Sequence, residues 1–216
     1  MSRRALSVVV VLVGCGASDD RPAPDAPAPD APTVVPCDLS DTVVTHPAMA
    51  PIAPHTECTV TTATVAIPSA THVENCSPID YECSPPAGGS HYGSWAAYRE
   101  YDAAIPWAFL VHNMEHGGVV LSYNCPSGCV AVVEALRAIR TDFAADRFCA
   151  PAVRNRLLIV PSPSLDVPIA VAAWGRSYTA TCLDRPSLDA FVQESYAHGP
   201  EDTCAAGIDD ATTRCP

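Results

Sequence analysis

The chain has 216 residues with 24 acidic and 12 basic side chains, every basic one an arginine, for a formal net charge of −12. That balance excludes the basic surface that nucleic-acid binding needs, and it argues against charge-driven adhesion to anionic lipid. Eleven cysteines point to an exported, disulfide-bonded chain.

Met1-Ser2-Arg3-Arg4 is a short basic segment, and Ala5 to Gly14 is an apolar run of ten residues. A bilayer span takes about 20, so this run reads as the core of a secretory signal. It ends in Leu12-Val13-Gly14-Cys15, which is similar to a bacterial lipobox. On that reading residues 1–14 are removed and Cys15 is acylated, with two or more acyl chains supplying a stable membrane anchor. Gly16 at the second mature position suggests the outer membrane, by resemblance to lipoprotein sorting in two-membrane bacteria. An ordinary signal peptide with a chance cysteine is the plainer alternative. Loss of Arg3 and Arg4 takes the net charge two units further, to −14. Residues 15–36 contain "PAPDAPAPDAP", a composition that forms no core and favours an extended tether.

Residues 37–216 are long enough for one domain with a core of its own. "TVTTATVAI" (59–67) is rich in β-branched residues and predicts a strand. "WAFLVH" and "VVLSY" are apolar strand candidates flanking "NMEHGG". Over 127–143, Val132, Leu136, Ile139 and Phe143 form one helical stripe. "RLLIVP" and "VPIAVAAW" predict two more strands. Pro186 sits at a first helical position, with Leu188, Phe191 and Val192 as the apolar face of a last helix. The expected fold is α+β, a largely antiparallel sheet with helices on one face.

Ten cysteines besides Cys15 predict five disulfides. Near neighbours are the guessed pairs: Cys76 with Cys83, Cys125 with Cys129, and Cys204 with Cys215. With no C-x-x-C pair, a thioredoxin-like redox role lacks its motif.

Several short motifs occur in order: His72-Val73, Pro85-Pro86, Gly89-Ser90-His91, His112-Asn113-Met114-Glu115-His116-Gly117, Ala173-Trp174-Gly175-Arg176 and Gly199-Pro200-Glu201. Together they resemble the bacterial family known as domain of unknown function 3105, over residues 70–201. In that family a leucine is usual where Met114 stands, and Ser and Pro stand in place of Gly88 and Ser90. Cys76 and Cys83 look like an added disulfide around the Pro-Pro loop. The resemblance implies a shared fold and shared site positions, and no reaction.

His112 to His116 fits H-x-x-E-H, the inverted zinc-protease signature, which requires a helix. With strands expected on both sides, a helix has about six residues to fit in, so that reading is set aside. A straight strand separates His112 and His116 by about 13 Å. The expectation is therefore a hairpin turning at "NMEHG" through Gly117-Gly118, with His112 and His116 converging on Glu115. His91, from a flexible Gly88-Gly89 loop, completes a trio, and His72 is a possible fourth. Three imidazoles suit zinc or copper. Met114 is either a thioether ligand or apolar packing. A non-enzymatic surface interaction module with a structural His/Glu hydrogen-bond network and non-metal acid–base chemistry stay open, as does a metal-dependent hydrolase. Binding is favoured over catalysis, because no nucleophile or substrate pocket can be named. Arg176 is a candidate partner for Glu115, Glu201 or an anion, or a strand-end residue beside a packed Trp174. His46, His55 and His198 are expected to be solvated.

Overall fold

The structure is a computed structural model that describes residues 32–67, 70–126 and 128–215. The predicted signal, Cys15 and most of the tether lie outside the described residues. The elements run β1 (Thr33–Val35), β2 (Leu39–Thr45), β3 (Val60–Val65), β4 (His72–Val73), β5 (Ile79–Tyr81), β6 (His91–Tyr92), α1 (Trp107–Glu115), β7 (Val119–Tyr123), α2 (Val130–Asp142), β8 (Leu157–Pro161), β9 (Ile169–Ala173), β10 (Arg176–Ala180) and α3 (Arg185–Ser195). β1 takes its residues from the end of the stretch assigned to the tether.

Six strands form the main sheet in the order β2-β3-β10-β9-β7-β8. Every pairing is antiparallel except β7 with β8, whose parallel register is reached through α2. Two small parallel pairs, β1 with β5 and β4 with β6, stand apart from it. The domain is α+β with a largely antiparallel sheet, as the element pattern predicts.

Both faces of the central strands are covered, which explains why β7, β8 and β9 read as continuous apolar runs rather than alternating ones. Val119, Leu121, Leu157, Ile159 and Val171 face α2 and α3, whose Val132, Leu136, Ile139, Leu188, Phe191 and Val192 complete that core. Val120, Leu158, Val160 and Ala172 face the other way, against Phe109, Leu110, Val111 and Met114 of α1 and the tyrosines at 92, 98 and 101. The expected one-sided helix layer thus holds for α2 and α3, while α1 lies across the sheet from them.

The segment "WAFLVH", expected as a strand, is the body of α1. Its residues from Ala108 onward are buried all round, so no polar face marks the helical period and the run imitates a strand. Pro106 precedes the first turn. Gly117 and Gly118 do not turn a hairpin; they close the helix. Gly117 N–H donates to Met114 O at 2.9 Å and Gly118 N–H to Asn113 O at 2.8 Å, with Gly117 at φ +76°. That is the Schellman pattern, in which glycine supplies the left-handed residue after the cap.

The ten cysteines form five disulfides: Cys37–Cys83, Cys58–Cys182, Cys76–Cys215, Cys125–Cys129 and Cys149–Cys204. Of the neighbour pairs expected, only Cys125 with Cys129 forms. Cys76 and Cys83 flank the extended strand β5 and pair instead with Cys215 and Cys37. Cys204 pairs with Cys149, which fixes the segment carrying Glu201 to the chain entering β8.

Candidate metal centre

β4 and β6 run parallel with His72 opposite His91, so two imidazoles project from adjacent strands at the same level. His91 arrives through a loop that is packed rather than flexible. Residues 85–92 are all buried, and a Cβ on Gly89, at φ +100°, would lie 2.5 Å from Val35 Cγ1. α1 brings His112 and Glu115 up beneath the two strands, one helical turn apart, on one face. The carboxylate oxygen Oε2 of Glu115 lies 3.0 Å from His91 Nε2, 3.4 Å from His72 Nε2 and 3.9 Å from His112 Nε2. The three rings are mutually in contact, with centroids 4.8 to 4.9 Å apart.

Backbone hydrogen bonds fix the two buried tautomers. His91 Nδ1 stands 2.8 Å from Gly89 O, and His112 Nδ1 stands 2.7 Å from Tyr92 O. A carbonyl only accepts, so each Nδ1 carries a proton and donates, and each Nε2 is turned toward Glu115. Burial pulls His112 down to about 4, opposed by its bond to Tyr92 and reinforced by the neighbouring histidines, so that ring is neutral at pH 7. Three ring nitrogens and a carboxylate oxygen therefore converge, two of the nitrogens within hydrogen-bond distance of the oxygen and the third at 3.9 Å. Such a set needs a proton or a cation between its members.

The donor set fits a metal. Four ligand atoms, one each from His72, His91, His112 and Glu115, all lie within 4.8 Å of one another. A tetrahedral ion with bonds near 2.0–2.1 Å separates its ligands by about 3.3 Å, which the Glu115 distances straddle. Histidine ligands that donate their other nitrogen to a backbone carbonyl are the usual arrangement in metal sites. His91 and His112 are buried, whereas the His72 side chain is 53% exposed, so the cluster opens to solvent on the β4 side.

Of the residues expected at the site, His72, His91, His112 and Glu115 come together. His116 does not join them. It lies one turn on from His112, with ring centroids 4.6 Å apart, but its Nε2 faces Glu201 Oε2 at 3.3 Å. The H-x-x-E-H stretch is thus helical up to Glu115, contrary to expectation, yet His112 and His116 fall in separate ligand groups and do not form the paired histidines of a zinc-protease centre. Met114 is buried in the apolar cluster of α1, a packing role. Arg176 bonds Glu194 and lies over the Phe191 ring, not beside Glu115 or Glu201. His46 and His198 are exposed and His55 is half-buried.

Several positioning residues carry no chemical signature in the sequence. Asn113 exchanges two hydrogen bonds with the backbone of Ala96, at 3.0 and 2.8 Å. This seats Trp95 against His112 and His116, at centroid distances of 5.1 and 4.7 Å. Arg156, almost fully buried, donates to His116 O at 2.9 Å and pairs with Asp146 and Asp202. A cation there satisfies a carbonyl at the end of α1 and complements the helix dipole.

A family model described as "Protein of unknown function (DUF3105)" matches residues 72–206. The chain belongs to this family. No curated protein and no solved structure matches it. The DUF3105 region begins at His72 itself and contains all four clustered residues, together with His116 and Glu201. Two of the other short motifs read from the sequence lie against the same cluster. Ala173-Trp174-Gly175-Arg176 is the turn from β9 to β10, with Gly175 at φ +69°, and it sets Trp174 edge-on to His91 at 6.0 Å. Gly199-Pro200-Glu201 packs on the end of α1, where Glu201 N–H donates to Glu115 O at 3.0 Å. β1 to β3 lie outside the family match.

Proposed function

We propose that this DUF3105 member is a membrane-anchored extracytoplasmic lipoprotein whose domain binds one transition-metal ion tightly through His72, His91, His112 and Glu115. The observation that carries the reading is the pair of Nδ1–H bonds to Gly89 O and Tyr92 O, which hold Nε2 of both buried imidazoles toward Glu115 before any ion arrives. Three nitrogens and one carboxylate oxygen, without thiolate or thioether, suit zinc or copper(II). Four protein donors around one ion favour holding the metal over turning over a substrate. The leader ending at Cys15 and the five disulfides support an oxidising compartment outside the cytoplasm.

The test is metal content and thermal stability of protein purified without a polyhistidine tag and stripped with chelator. Zn²⁺ or Cu²⁺ should raise the melting temperature, because a ligand held only by the folded state stabilises it by about 2.7 kcal/mol at a hundredfold excess over Kd. His91→Ala should abolish that gain. The competing reading, a structural His/Glu network, predicts no shift with any transition metal and equal destabilisation by His91→Ala with and without it.

A further inference from the structure

His116, Glu201 and Glu115 form a second group beside the first. Their ligand atoms also lie within 4.8 Å of one another, and Glu115 belongs to both groups. We propose that this group binds a second, weaker divalent ion, with Glu115 bridging the two. The inference rests on the reading above for the first ion.

The second group is built rather than incidental. The His116 side chain is only 5% exposed, its Nε2 faces Glu201 at 3.3 Å, and its Nδ1 is buried with no hydrogen-bond partner among the described residues. A buried imidazole costs desolvation, and an unpartnered ring nitrogen adds to it. The main chain around it is clamped nonetheless. Arg156 holds His116 O, Glu201 N–H holds Glu115 O, and Trp95 and His112 wall the ring on two sides. The Glu201 side chain is 54% exposed, so this group has its own access to solvent.

The two groups differ in donor chemistry. Three imidazoles and one carboxylate make the first a nitrogen-rich site. One imidazole and two carboxylates make the second a harder, oxygen-rich one, suited to Zn²⁺ or Mn²⁺ and poorly suited to copper(I). Their preparation differs too. His91 and His112 already carry their protons on Nδ1, against backbone carbonyls. For His116 to coordinate through Nε2, its proton must move to Nδ1, which has no acceptor. The second ion therefore binds more weakly than the first.

The experiment is calorimetric titration of the chelator-stripped full chain with Zn²⁺. Two equivalents are expected, the second at least tenfold weaker. Glu201→Gln, which changes an exposed carboxylate and should leave the chelator-stripped melt unchanged, should remove the second equivalent and keep the first. His116→Ala should do the same. His91→Ala should remove the tight equivalent. A single equivalent in the wild-type chain, or a second one that persists in both Glu201→Gln and His116→Ala, would overturn the bridged pair and leave the first site standing. No uptake at all would overturn both readings.

Discussion

Replacement of Gly199 by alanine tests whether the Gly199-Pro200-Glu201 segment positions the cluster. A Cβ at Gly199 would meet Glu115 O and Gly117 N, and would lie 2.6 Å from Met114 O. These are backbone atoms of the end of α1, so no side chain can swing aside to make room. Overpacking of this kind costs about 1–3 kcal/mol. In a domain of this size each kcal/mol lowers the melting temperature by about 2–4 °C, which predicts a loss of about 2–12 °C. The strain falls on the turn that carries Glu115. If about 1.4 kcal/mol of it opposes coordination, affinity for Zn²⁺ drops about tenfold. Gly93→Ala is the control, because a Cβ there meets nothing within 4 Å. Thermal melts of both variants in chelator, with Zn²⁺ titrations of each, make the comparison. If Gly199→Ala melts and binds like Gly93→Ala, the 199–201 segment does not hold the cluster in place.

Three further outcomes are expected. Because burial lowers His112 to about 4, the metal-free unfolded chain takes up a proton below about pH 6.5 that the folded chain refuses, so its stabilising contribution is complete above that value and is lost as pH falls toward 4, by at most about 3 kcal/mol. Urea unfolding of wild type and His112→Gln at pH 7.5 and 5 should show a steeper loss in wild type, and equal slopes would contradict it. Cys15→Ser should leave the protein unprocessed or release it from the membrane fraction, whereas unchanged membrane association with cleavage at another bond would refute acylation there. Alkylation of unreduced exported protein should label none of the ten cysteines seen in disulfides, and mass mapping should recover Cys149 joined to Cys204; two or more labelled thiols would break that pairing scheme.

Legibility in the sequence followed burial geometry. α2 and α3 are amphipathic, so Val132, Leu136 and Ile139 in one and Leu188, Phe191 and Val192 in the other display the helical period openly. β3 is marked by its β-branched residues. α1 has no solvent face beyond its first residue, and its apolar run carried no period to read. β2 escaped for the opposite reason: all of Leu39–Thr45 is exposed, so it shows no buried face. β10 was missed because only Tyr178 and Ala180 are buried in it. Five residues were named for the site from residue type and motif order, and four of them come together while His116 does not, although the expected geometry was wrong. The expectation needs a turn to bring His112 and His116 together on Glu115, whereas helical spacing alone sets His112 beside Glu115 and sends His116 to Glu201. The disulfides could not be read from neighbour distance, since the sheet and the two small strand pairs bring together cysteines as far apart as Cys76 and Cys215, 139 residues along the chain. The supporting residues Asn113 and Arg156 act through backbone contacts that no residue pattern announces.

The most direct test of the central claim is X-ray absorption at the zinc edge on protein loaded with one equivalent of Zn²⁺. The geometry predicts three imidazole ligands and one carboxylate oxygen at about 2.0–2.1 Å, with no sulfur at about 2.3 Å, and a spectrum that loses one imidazole in His72→Ala while Met114→Leu leaves it unchanged. A sulfur scatterer, or fewer than two imidazoles in the wild-type spectrum, would contradict the account.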